Sequence, residues 1–168
     1  MPDTFLYFAY GSNMLSRRLI ARTPSAVAVG TGFVEATRLV FDKVSRDGSG
    51  KADIEVSPDL EDRVYGVLFR ISIDEEGALD RAEGSGYRRG LFQVFMADET
   101  VAAHSYVATE KEPTRRPYHW YKELVVAGAV EHDLPSRYLE WLRNVSSQPD
   151  PNPARCAENQ AMLATPFS

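Results

Sequence analysis

Hydrophobic positions along this chain fall mostly in short runs of strand length, with helical spacing confined to a few stretches. The first run, Phe5-Leu6-Tyr7-Phe8-Ala9-Tyr10, stops at Gly11, which permits a sharp turn; Ser12 or Asn13 can then cap a helix over residues 14–22. After a break at Thr23-Pro24-Ser25, residues 26–44 read as one long strand or two consecutive ones, interrupted near Gly30-Thr31-Gly32. Phe33, Leu39 and Phe41 supply the apolar positions of the second piece. A polar, glycine-rich loop at residues 46–50, expected to be mobile at its tip, leads to a strand over 52–56 and a turn at Pro58-Asp59. Residues 64–71 are apolar almost throughout, which predicts a strand buried on both faces, as in the middle of a barrel.

The second half changes rhythm. Ser72 and Glu75 stand at capping-box spacing, predicting a short acidic helix to about Ala82, and Glu83-Gly84-Ser85-Gly86 ends it. Residues 87–96 and 101–109 form a hairpin around Asp98-Glu99. A loop at 111–114 precedes a helix over 117–129 with Pro117 in its first turn. Pro135 opens a last helix, on which Tyr138, Leu139, Leu142 and Val145 share a face. The proline-rich patch from Gln148 to Pro153 reads as a linker into an irregular surface tail. Strands outnumber helices without strict alternation, which favours an α+β chain with a mixed, barrel-like sheet and outer helices over a doubly wound fold.

Composition narrows the function classes. A chain of 168 residues is one domain of ordinary size, and its formal charge of -5 argues against a nucleic-acid footprint. Arg17-Arg18, Arg88-Arg89 and Arg115-Arg116 are isolated pairs that read as solvated. Cys156 is the single cysteine and has no intrachain disulfide partner, the start lacks signal-peptide character, and no apolar run approaches the roughly 20 residues of a membrane-spanning helix. The expected setting is cytoplasmic, with no membrane partner.

Two places carry candidate chemistry. At the Gly11-Ser12-Asn13 turn, backbone N–H groups lack intrahelical partners and point one way, which suits an anion or a developing oxyanion; an ordinary capped turn is the plain alternative. Glu83 sits at the mouth of the glycine-rich loop, where a partly apolar pocket would raise its pKa and fit it for acid–base work; a solvated helix end is the plain alternative there. Phosphate-loop and dinucleotide patterns are absent, and so is Gly-x-Ser-x-Gly around Ser12. His104, His119 and His132 are too scattered for a zinc site, and Cys156 shows no sign of activation.

Three blocks together resemble the gamma-glutamylcyclotransferase family, also described as AIG2-like. They are Tyr10-Gly11-Ser12-Asn13-Met14 after a hydrophobic strand; Asp80-Arg81-Ala82-Glu83-Gly84 with Tyr87 shortly after; and Tyr121-Lys122 before an apolar run ending at Gly128-Ala129, with Leu134-Pro135 beyond. The blocks stand in the family's order across most of residues 5–145. The resemblance implies a small mixed β-barrel with flanking helices over residues 1–147, followed by a tail over 148–168. It implies a cofactor-free, lyase-like enzyme of glutathione metabolism, in which a γ-glutamyl compound cyclises to 5-oxoproline and expels an amine or amino acid. Glu83 would be the catalytic acid–base, the turn of Gly11, Ser12 and Asn13 would hold the γ-glutamyl group, and Tyr10, Tyr87 and Tyr121 would line the site. Asn13 tilts away from the glutathione-specific branch, where that position is usually apolar. Homodimers occur in the family, although no stretch here marks an interface. A binding module using the same pocket without turnover is the alternative, and retention of Glu83 argues against it.

Overall fold

The apolar runs become strands because each can bury side chains on both surfaces of a closed sheet. The computed structural model describes residues 3–164 and forms a barrel of five strands in the order β1 (Thr4–Ala9), β5 (Arg63–Ser72), β2 (Val27–Glu35), β6 (Tyr87–Phe95) and β7 (Thr100–Ala108). All pairings are antiparallel except the closing contact between β1 and β7, at Tyr7 and His104, which is parallel. The barrel is therefore mixed, as expected. β5 lies between β1 and β2, and Val64, Val67, Leu68 and Ile71 on it are fully buried, which accounts for its nearly unbroken apolar sequence.

Residues 26–44 divide into two strands, but not at the glycines. The break falls at Ala36, whose φ of 53° is left-handed, while a bulge in β2 lies between Ala28 and Gly30. The chain leaves the barrel at Ala36, and β3 (Thr37–Val44) pairs with β4 (Gly50–Val56) as a separate two-stranded sheet. The loop joining them is braced: Arg115 donates to the carbonyls of Ser45 and Ser49, at 3.1 and 3.2 Å, and the Tyr118 hydroxyl to that of Asp47. A loop read from its sequence as mobile is thus held at several points by residues far along the chain.

Among the described residues five helices cover the outside: α1 (Ser16–Arg22), α2 (Glu76–Glu83), α3 (His119–Glu131), α4 (Ser136–Arg143) and α5 (Pro153–Ala164). The last corrects the expectation of an irregular tail. Asp150, inside the proline-rich patch, pairs with Arg155 and accepts the Trp120 indole N–H at 2.8 Å, which fixes the start of α5 against α3. The capping box at Ser72 does not form either. Ile73–Glu75 is a 3-10 turn without a side-chain cap, and the Glu75 carboxylate turns instead to Ser25, taking its backbone N–H at 3.1 Å and its hydroxyl. Among the described residues, no helix is long and apolar enough to cross a membrane.

Candidate active site

β1 carries Tyr7 into the barrel and ends at Ala9; the next residue, Tyr10, is buried and donates its hydroxyl to the carbonyl of Tyr106 on β7. Ser12–Met14 then form a single 3-10 turn whose first internal bond runs from the Met14 N–H to the Gly11 carbonyl at 3.1 Å. Leu15 is extended, with φ −71° and ψ 109°, and separates that turn from α1. Ser12 and Asn13 consequently cap nothing. Both are buried and turned inward, where Ser12 accepts from Arg18 Nε at 3.0 Å and the Asn13 amide reaches two other site residues.

Glu83 enters from the opposite side as the last residue of α2. Gly84, with φ 86°, stops the helix, a conformation open to glycine at little cost, and its N–H returns to the Asp80 carbonyl at 3.0 Å. Glu83 Oε1 accepts from the Tyr7 hydroxyl at 3.2 Å and from Asn13 Nδ2 at 3.0 Å, while Asn13 Oδ1 accepts from Arg22 Nη1 at 3.1 Å. Burial raises the Glu83 pKa above the ordinary 4.5, and the Arg22 charge, the Tyr7 hydroxyl and the charges of Arg18 and Lys43 pull it partly back. Burial likewise holds Tyr7, Tyr10, Tyr87 and Tyr121 above the ordinary phenol value, so all four stay neutral at physiological pH.

The remaining two tyrosines meet at one residue of β4. The Tyr87 hydroxyl donates to the Ala52 carbonyl at 2.5 Å, and the Ala52 N–H donates to the Tyr121 oxygen at 3.1 Å. All seven residues expected from the sequence (Tyr10, Gly11, Ser12, Asn13, Glu83, Tyr87 and Tyr121) therefore line one pocket. Its inner part is narrow, about 30 Å³, enough for a group the size of one or two waters. Past Ser12, Glu83, Tyr87 and Tyr121 it opens into a vestibule of about 190 Å³ walled by Arg18, Arg22, Lys43 and Lys51.

The sequence reading missed Tyr7, Ala52 and the arginines. Arg18 and Arg22 stand four apart on α1, a spacing that puts both on one helix face, so this signal was present in the sequence. Arg18 is partly buried over the turn, Arg17 donates to the Met162 carbonyl, Arg89 pairs with Glu76 and Asp80, and Arg115 braces the 46–50 loop, so these four members of the arginine pairs are engaged in the structure and were wrongly read as solvated. Ala52 contributes only its backbone, and no side-chain pattern announces such a role. Asp80, part of the block quoted above, holds Arg89 and the Tyr106 hydroxyl, the latter at 2.5 Å, and so braces α2 against the barrel.

The chain also resembles known proteins over most of its length. Residues 63–142 match the model of the AIG2-like family. The chain is 34% identical over 154 residues to the gamma-glutamylcyclotransferase of Mus musculus, and 31% identical to that of Homo sapiens; each alignment spans 85% of this chain and 79% of the relative. A solved structure described as a gamma-glutamyl cyclotransferase superposes with a TM-score of 0.86 at 28% identity, covering 97% of this chain and all of that one.

Proposed function

The chain belongs to the gamma-glutamylcyclotransferase family, and from that premise we propose that Glu83 drives intramolecular aminolysis of a γ-glutamyl compound, releasing 5-oxoproline and an amine. The observation that carries this reading is the Glu83 carboxylate itself, held by Tyr7 and Asn13 against the Gly11-Ser12-Asn13 turn, with its pKa raised by burial. A base of raised pKa sits nearer the working pH, where proton transfer in both directions is efficient.

In this reading the substrate's α-ammonium gives a proton to Glu83, and the amine attacks its own γ-carbonyl. Backbone N–H groups of the turn stabilise the oxyanion, since the first internal bond begins only at Met14. Glu83 then returns the proton to the leaving nitrogen as the C–N bond breaks, and the second proton of the attacking nitrogen passes by way of Glu83 to the released amine, so that 5-oxoproline forms with a neutral amide nitrogen and the amine departs as an ammonium. Nucleophile and electrophile share one molecule, so orientation supplies much of the rate; the step calls for no electron sink, and the reading involves no metal or cofactor. The narrow inner pocket takes the γ-carbonyl group beside the turn, and the rest of the substrate lies in the vestibule. A cytoplasmic setting and a place in glutathione metabolism go with this reading, supported by the family and by a single cysteine left unpaired.

The test is release of 5-oxoproline from a panel of γ-glutamyl compounds, with Glu83→Gln alongside. The expected result is turnover of at least one compound and a fall of about 100-fold or more in the variant, the low end for a lost general acid–base. A Glu83→Gln protein as active as wild type would remove Glu83 from the mechanism, and glutamate in place of 5-oxoproline would make the protein a hydrolase.

A further inference from the structure

The vestibule is positively charged in a chain whose net charge is negative. Of its four cations, Lys51 is neutralised by Asp47 at 3.0 Å and lies over the rings of Trp120 and Tyr121 at 4.4 and 4.5 Å. Among the described residues, Arg18, Arg22 and Lys43 form no ion pair with a carboxylate. The hydrogen bonds of Arg18 and Arg22 within the site go to neutral oxygens, Ser12 Oγ and Asn13 Oδ1, which leaves most of the five donors of each guanidinium for a ligand. Lys43 reaches across from β3, lies over the Tyr87 ring at 4.9 Å, and passes so close to Gly86 that a Cβ there would stand 2.5 Å from its Cε. Burial holds Arg18 at about 10 and Lys51 at about 8 and lowers Lys43 as well, so the cluster bears a desolvation cost that an anionic ligand would offset.

The charge count selects the ligand. Three cations against Glu83 leave an excess of two positive charges, with Lys51 and Asp47 cancelling; Glu110 acts on Lys43 only as an exposed neighbour. A γ-glutamyl amine is electrically neutral overall, and a γ-glutamyl compound of a neutral amino acid carries one net negative charge. An acidic leaving amino acid brings two. We propose that the preferred leaving group is an amino acid whose side chain bears a second acidic group, and that Lys43 is the specificity-determining residue that pairs with it. Arg18 and Arg22, anchored to the turn beside Ser12 and Asn13, face the backbone carboxylates of the substrate. Lys43 stands on the other wall, where a side chain projecting from the leaving residue would arrive. The inference rests on the cyclisation reading above.

The experiment compares kcat/KM for γ-glutamyl-glutamate, γ-glutamyl-glutamine and γ-glutamyl-methylamide in wild type, Lys43→Met and Lys43→Arg. The glutamate and glutamine compounds match in shape, so their ratio isolates the charge. Wild type is expected to prefer glutamate by about tenfold, the scale of one charge-assisted contact; Lys43→Met brings the ratio close to one, and Lys43→Arg restores it. Equal use of the two compounds by wild type, or a ratio unmoved in Lys43→Met, overturns the role of Lys43 while leaving cyclisation intact. Absence of 5-oxoproline from all three overturns the cyclisation reading and this inference with it. Melting temperatures of the two variants separate a specificity change from a folding defect, because a folding defect lowers turnover of all three compounds alike.

Discussion

At the scale of single residues, the site works by setting one proton against its surroundings. Glu83 must be ionised to accept a proton, yet burial favours its neutral form, so kcat/KM should rise with pH through a folded-state pKa above the ordinary 4.5. Tyr7 is one of the groups that hold this pKa down, since its hydroxyl bond at 3.2 Å stabilises the ionised carboxylate. Tyr7→Phe removes the donor and keeps the ring, so the acid limb of the kcat/KM profile should move to higher pH while the plateau changes less. An acid limb that stays in place, or moves down, would mean that Tyr7 does not set the Glu83 proton. The sequence made Glu83 legible chiefly through the family-like block from Asp80 to Gly84 with Tyr87 after it, its place at a helix end before glycine adding little, and it gave no hint of Tyr7. A tyrosine in an aromatic strand reads as core, and here the same residue is both buried and polar-partnered.

At the scale of elements, the placement of Ser12 and Asn13 depends on a helix more than 100 positions away in sequence. Gly128 on α3 meets the backbone of the turn so closely that a Cβ there would stand 2.6 Å from Leu15 N and 2.7 Å from the Met14 carbonyl carbon. Gly128→Ala gains about 1 kcal/mol of intrinsic helix propensity, but it forces backbone apart in a packed contact, which costs about 1–3 kcal/mol and more when neither side can yield. The expected net effect is a lower melting temperature, by about 2–4 °C for each kcal/mol lost, together with reduced turnover as the turn shifts off Glu83. Gly128→Ala with unchanged melting temperature and activity would show that α3 does not position the turn. The contact also explains why the capping reading failed. Periodicity locates strands and helices one at a time, whereas the choice between a capped helix and an inward-facing 3-10 turn is made by α3 packing on Met14 and Leu15.

At the scale of the whole molecule, the barrel and the two-stranded sheet are joined by a buried pair of carboxyl groups. Asp53 on β4 is fully buried; it takes the Ala108 N–H of β7 at 2.9 Å and pairs with Lys111 at 2.9 Å. Asp42, nearly as buried, stands beside it in the bulge of β3 between Val40 and Lys43. Burial and then the neighbouring Asp53 push the Asp42 pKa up from 3.8 to about 6, against the pull of Lys111. No pattern in the sequence pairs these two aspartates, because the bulge that brings them together has no signal of its own there. The sign of the linkage follows from the raised value. A carboxyl whose folded pKa lies above its unfolded one stabilises the fold below about pH 4, and that contribution is lost as pH rises through about 6. Asp42→Asn keeps a hydrogen-bond donor toward Asp53 and removes the titration. Relative to wild type, its melting temperature should therefore gain more at pH 8 than at pH 4.5, where wild-type Asp42 is mostly protonated. An equal difference at the two pH values would show that Asp42 carries no raised pKa. The same pair bears on the site, since Asp53 adjoins Ala52, whose N–H and carbonyl hold Tyr121 and Tyr87. If the pair sets the depth at which β4 docks, Asp42→Asn should hold turnover at pH 8 at or above the wild-type level, because it locks the docked arrangement that protonated Asp42 provides.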